Sequence, residues 1–109
     1  MAAITVEKDV YEGTTPKLSF TIFDNGVAYN LTGATVTFGL KATLSDAAYI
    51  VNRACTLDAD PTTGKCSITL TAIETGTEGA YVAEIKVVSG VLVIIPVQFT
   101  LNINDSVLG

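Results

Sequence analysis

The sequence predicts an all-β chain, an antiparallel sandwich of about seven strands. Three observations carry this. Apolar residues recur at period two, turn signals separate the runs at intervals of about 8–15 residues, and β-branched residues dominate. Sixteen threonines and nine glycines among 109 residues suit a pleated surface better than a helix.

The elements follow in order. Leu18, Phe20 and Ile22 alternate with Ser19, Thr21 and Phe23, and Asp24-Asn25-Gly26 ends the run. Ala34, Val36, Phe38 and Leu40 alternate with Thr35, Thr37, Gly39 and Lys41, and Cys66, Ile68 and Leu70 with Ser67, Thr69 and Thr71. Thr32-Gly33, Asp60-Pro61, Thr63-Gly64 and Ser89-Gly90 supply the turns. Leu44 to Ile50 has no helical stripe and reads as a single turn, or as a loop entering a strand near Tyr49-Ile50-Val51. Without repeat or linker, one domain fills residues 1–109, with 1–13 and 104–109 as candidate arms.

Gly79-Ala80-Tyr81-Val82-Ala83 has the spacing of a tyrosine corner, in which a hydroxyl bonds backbone a few residues upstream. Gly79 and Tyr81 are therefore expected to be structural. Tyr81, Ala83, Ile85 and Val87 would face the core, with Val82, Glu84 and Lys86 outward. An ordinary strand tyrosine is the other reading.

Cys55 and Cys66 flank a hairpin with its tip near Asp60-Pro61, which sets them roughly opposite each other. That spacing admits a bridge without implying one. Met1 to Lys8 lacks a basic region and a long apolar region, so the chain reads as made inside the cell and unprocessed, where cysteines stay thiols. For the same reason the sequon Asn30-Leu31-Thr32 carries little weight.

Composition excludes much chemistry. There is no histidine, which removes the commonest general base and metal ligand, and no tryptophan. Six basic against eleven acidic residues leave a net charge of −5, a poor match to nucleic acid or anionic membranes. The apolar stretch from Val87 to Phe99 is broken by Ser89-Gly90 and Pro96 and is too short to span a bilayer. Asp58-Ala59-Asp60 faintly resembles a calcium loop, but Pro61 and Lys65 intervene and no closing glutamate follows, so a hairpin turn is expected. Glu74 and Glu78 read as a solvated loop. No catalytic residue, cofactor or metal ligand is expected, and the chain does not read as an enzyme.

The last hairpin is the most informative segment. Val97, Phe99, Leu101 and Ile103 alternate with Gln98, Thr100, Asn102 and Asn104, whereas Val91, Leu92, Val93, Ile94 and Ile95 are apolar on both faces. Counting back from Phe99 places Val93 and Ile95 inward and Leu92, Ile94 and Pro96 outward. A contiguous outward apolar set marks a contact surface, unless a terminal loop of the same domain covers it. Pro96 has no backbone donor and points to an edge strand or a bulge.

Phe23-Asp24-Asn25-Gly26-Val27-Ala28-Tyr29-Asn30-Leu31-Thr32-Gly33-Ala34-Thr35-Val36 resembles the N-terminal domain of phage baseplate upper proteins. So do Asp60-Pro61-Thr62-Thr63-Gly64-Lys65, Leu70-Thr71 and Gly79-Ala80-Tyr81-Val82-Ala83-Glu84, and their order and spacing carry the resemblance over about residues 14 to 103. It implies an immunoglobulin-like domain built into a virion, in contact with other structural proteins and doing no chemistry. That family's domain opens longer chains, so ending at Gly109 suggests a small accessory on capsid, neck or tail rather than a whole baseplate adaptor.

The expected function is thus a virion structural protein, made in the bacterial host cytoplasm, that decorates or connects larger parts through Leu92, Ile94 and Pro96. Capsid, neck or tail proteins are the expected partners, and a homo-oligomer is another. The alternative is a carbohydrate- or cell-surface-binding module using Tyr11, Tyr29 and Tyr49.

Overall fold

The computed structural model describes residues 7–24, 26–43, 45 and 48–105. Ten strands follow one another among these residues: β1 (Glu7–Tyr11), β2 (Lys17–Thr21), β3 (Phe23–Asp24), β4 (Val27–Ala28), β5 (Thr35–Lys41), β6 (Val51–Ala54), β7 (Thr56–Leu57), β8 (Lys65–Thr69), β9 (Gly79–Ser89) and β10 (Leu92–Asn104). A five-stranded sheet runs in the order β1-β10-β9-β5-β6, a three-stranded sheet in the order β2-β8-β7, and β3-β4 form a small hairpin. Nearly all-β and arranged as a sandwich, the chain has the fold class its alternation predicts.

The core is where the alternating faces of the two larger sheets meet. Leu18 and Phe20 of β2 and Cys66 and Ile68 of β8 turn inward from one side. Val36, Phe38 and Leu40 of β5, Ala83, Ile85 and Val87 of β9, and Phe99, Leu101 and Ile103 of β10 turn inward from the other. At the centre Phe20 reaches across to Phe38 and Phe99, with ring centroids 6.2 and 5.5 Å away, and those two lie 6.3 Å from each other. Aromatic contacts at these spacings add to the area they bury, so the trio ties the two sheets together.

Two parts of the chain differ from the sequence reading. The candidate N-terminal arm is a strand from Glu7 onward: β1 pairs in parallel with the end of β10, Glu7 opposite Thr100 and Tyr11 opposite Asn104. Gly13 N then donates to Thr75 O at 3.1 Å, fastening the exit from β1. Local alternation cannot announce such a contact, because a strand's partner is fixed by tertiary packing. Residues 1–6 and 106–109, the rest of the expected arms, lie outside the described residues, as do Leu44, Asp46 and Ala47 of the expected turn.

The second difference is at the cysteines. The chain leaves the five-stranded sheet after Ala54, which pairs with Thr37, and joins the other at Thr56, which pairs with Ser67. Cys55 is the crossing residue, its N–H donating to Val36 O at 2.8 Å. Cys66 stands opposite Leu57, so the two cysteines are diagonal neighbours rather than facing ones. The hairpin turns through Pro61–Thr63, capped by Asp60, whose carboxylate accepts from Thr62 N at 3.1 Å. Gly64 closes it at φ +72, where a Cβ would lie 2.6 Å from Ile22 O. Only glycine fits that position.

Candidate protein-contact surface

The β9–β10 hairpin joins through a two-residue loop, Gly90-Val91, with Leu92 paired to Ser89 and Gly90 at φ +62. Glycine there supplies the positive φ that a tight hairpin requires. From Val87 to Asn104 the chain carries no charged residue, although the protein is 16% charged. The exposed end of this uncharged stretch is strongly apolar: Val91 is fully exposed, and Leu92, Val93 and Ile95 are 49%, 54% and 44% exposed.

Orientation within β10 departs from the expected one. Leu92 points outward as predicted, but Val93 and Ile95 are outward too, while Ile94 packs against the core and Pro96 is buried. The register shows why. Ile94 pairs with Val87 and Val97 with Ile85, so β10 spends two residues, Ile95 and Pro96, against the single Lys86 of β9. This is a bulge at the proline, which has no N–H to give the ladder, and one extra residue reverses the inward–outward parity upstream of it. Counting back from Phe99 without that residue exchanges the faces from Val93 to Pro96, while Leu92, next to the turn, is exposed although it shares the side of Ile94. Of the three interface candidates, Leu92 lies on the surface, Ile94 packs against the core and Pro96 is buried.

Other faces have a different chemistry. The outer face of the three-stranded sheet forms a groove of about 460 Å³ whose lining includes Lys17, Ser19, Thr21, Asp58, Lys65 and Ser67. Over the five-stranded sheet, a groove of about 250 Å³ lies among Thr37, Asn52, Glu84 and Lys86 beside Tyr49. Tyr49 lies over Gly39, with Lys41 Nζ 4.5 Å from its ring centroid. Tyr29 is half-buried against the core, and Tyr11 is exposed at the end of β1. Phe23 and Val27 on the β3–β4 hairpin, and Ile73 on the turn after β8, are exposed in ones and twos.

At the opposite end of β9, Tyr81 Oη donates to Thr77 O at 2.7 Å, the bond a tyrosine corner requires. Gly79 stands at φ +151, a conformation side-chain-bearing residues rarely adopt, directly against that ring.

One ion pair escaped the sequence reading. Glu74 does not stand as a solvated partner of Glu78; it binds Arg53 of β6 in two places, Nη1 to Oε2 at 2.6 Å and Nη2 to Oε1 at 3.1 Å. Arg53 Nη2 also donates to Thr69 O at 2.7 Å, so one guanidinium joins the two sheets. The Arg53 hydrogen bond holds the Glu74 carboxyl below the ordinary range against the opposing effect of burial, with further help from the Thr71 backbone. Thr71 and Glu74 cap each other: Thr71 N donates to Oε1 at 2.8 Å and Glu74 N to Thr71 Oγ1 at 3.2 Å. The Thr-x-x-Glu spacing of this capping box was the available signal.

Among the described residues no group of acidic and cysteine side chains is placed to hold a metal ion, and no helix is long and apolar enough to cross a membrane.

The fold has relatives among solved structures. The N-terminal domain of phage TP901-1 ORF48 superposes with a TM-score of 0.61 at 14% identity, over 92% of this chain and 84% of that one. The NK cell receptor Nkp44, an immunoglobulin-like neighbour, superposes at 0.51 with 18% identity, over 95% of this chain and 100% of that one. At such identities the likeness is one of fold. No curated protein matches the chain. The BppU N-terminal domain family, by contrast, is matched by residues 3–108. Nearly the whole chain is thus accounted for, and it belongs to that family, the N-terminal domain of baseplate upper proteins, a structural domain of the phage baseplate.

Proposed function

We propose that this domain connects or decorates larger parts of the virion, docking on another structural protein through the tip of its β9–β10 hairpin. The observation that carries this reading is the uncharged patch of Val91, Leu92, Val93 and Ile95. A soluble domain rarely leaves such a set exposed unless a partner covers it, and interface centres are depleted of charge as this tip is. The net charge of −5 on the rest of the chain keeps free subunits apart from one another and from nucleic acid until assembly. In this reading the chain is made in the host cytoplasm and carried in the particle, and it performs no chemistry. The carbohydrate reading retains Tyr11 and Tyr49, with Tyr29 half-buried against the core, and the Lys41 ammonium already lies over the Tyr49 ring.

The test is a V91S/L92S variant offered to purified tails, baseplates and capsids beside the unaltered protein. Loss of two exposed anchors should weaken capture roughly tenfold or more. Its melting temperature should stay within about 2 °C, because exposed positions contribute little to stability. Ile94→Ser is the control from the inward face and should melt lower. Undiminished capture by the double variant would overturn the reading, and so would its unfolding.

A further inference from the structure

We infer that Cys55 and Cys66 form a thiol pair built to close into an intramolecular disulfide when the protein leaves a reducing compartment, locking the two sheets where the chain crosses between them. Cys66 is 3% exposed and belongs to the core, and half-buried Cys55 packs against the same core. The β7–β8 register sets them diagonally on one face. Diagonal neighbours in a regular ladder stand somewhat too far apart for a bridge. Cys55 is not held in that ladder, however. Its N–H is directed to Val36 O in the other sheet, and the Cys66 thiol lies near enough to perturb its own. Both cysteines are free thiols.

Cys66 and burial push the Cys55 thiol up, while Cys55 holds the Cys66 thiol down against its own burial. The step balances with a small-molecule disulfide of the oxidised-glutathione class. Cys55, the more exposed sulfur, attacks it, loses its proton and releases one small thiol. Cys66 then attacks the Cys55 sulfur, loses its proton and releases the second. Two S–H bonds break and one S–S bond forms within the protein, and the oxidant's disulfide is reduced to two thiols. Closure ties the sheet-crossing residue to β8 across the hairpin, shortening the unfolded chain's reach. Proteins exposed outside the cell meet such oxidising conditions, and cytoplasmic ones do not.

The full chain, reduced and then incubated with oxidised glutathione, tests this. Its mass should fall by two hydrogens, and neither cysteine should be alkylated after denaturation. A tryptic digest should join the peptides Ala54–Lys65 and Cys66–Lys86, and the melting temperature should rise on the order of 10 °C, reversibly with dithiothreitol. The half-buried C55S variant should show no such rise, which separates a bridge from a solvent effect of the oxidant. Thiols that remain alkylatable, a bridge between two chains, a lasting glutathione adduct, or a rise that persists in C55S would each overturn the inference.

Discussion

The two ends of the β9–β10 hairpin are built from the same residue types and meet opposite fates. Below the bulge, Phe99, Leu101 and Ile103 are 2% exposed or less, opposite Ala83, Tyr81 and Gly79, and the tyrosine corner pins the start of β9. Above it, Leu92, Val93 and Ile95 stand in water, and only Ile94 and Pro96 keep contact with the interior. Composition does not separate these halves. Two things do: the second sheet lies over one of them, and the bulge at Pro96 resets which face looks inward. The lower half therefore carries stability, and the upper half is available for recognition.

The largest effect expected from this contrast is at Phe99. It sits 5.5 Å from Phe20 and 6.3 Å from Phe38, between the sheets. Phe99→Ala removes a buried aromatic and leaves a cavity, costing about 3–5 kcal/mol. Out of a total of roughly 5–15 kcal/mol, that brings the domain near its unfolding threshold. Leu92→Ala, seven residues earlier on the same strand, should lie within about 0.5 kcal/mol of the unaltered protein. Urea titrations of both variants compare the halves directly, and similar losses would mean the upper half is packed after all.

Much of this was legible in advance because period two is a local signal. The inward faces of β2, β5, β8 and lower β10 follow from alternation alone, and Gly79 and Tyr81 announce the corner by spacing. What escaped depends on the partner strand. Pro96 signals an edge or a bulge, and only the register against β9 decides between them, taking the orientation of Ile94 with it. The crossing at Cys55 looks like one uninterrupted strand in sequence, since nothing local states which sheet each residue joins. Arg53 and Glu74 are far apart in the chain, and the acidic residue was read with its neighbour Glu78 instead of with the cation across the sandwich.

That ion pair supplies the next effect. It ties β6 to the turn after β8, well away from the hairpin tip. Glu74→Gln keeps the side chain's shape but gives up the charge-assisted bonds to Arg53. Because the Arg53 side chain is 41% exposed, solvent screens part of the gain, and a loss of about 1 kcal/mol at neutral pH is expected. The sign with pH is fixed. The folded-state pKa of Glu74 is lowered, chiefly by the Arg53 hydrogen bond, from an ordinary value of 4.5. Its contribution is therefore complete above the unfolded value and is lost as pH falls through the folded one. The stability gap between protein and variant should be constant from pH 7 to about 5.5 and shrink as pH falls below the unfolded value of 4.5. Asp60, also lowered by its bonds to Thr62, titrates in both proteins and cancels. A gap that persists in acid would mean that the difference does not come from the carboxylate's charge.

The smallest effect belongs to the corner. Tyr81→Phe deletes one hydroxyl and leaves the ring against the core, so packing is unchanged and only the 2.7 Å bond to Thr77 O is lost. Thr77 is exposed, and its freed carbonyl can take a water, which limits the loss to about 0.5–1 kcal/mol. The melting temperature should fall by about 2–6 °C. Where the loss appears matters more than its size. Amide exchange should quicken at the start of β9 and in the turn that precedes it, and stay unchanged at Gly90 and Val91. Quickening spread evenly along the hairpin would mean that its two ends unfold as one unit. A corner that moves alone would show that the bulge at Pro96 separates the anchored end from the one left free to bind.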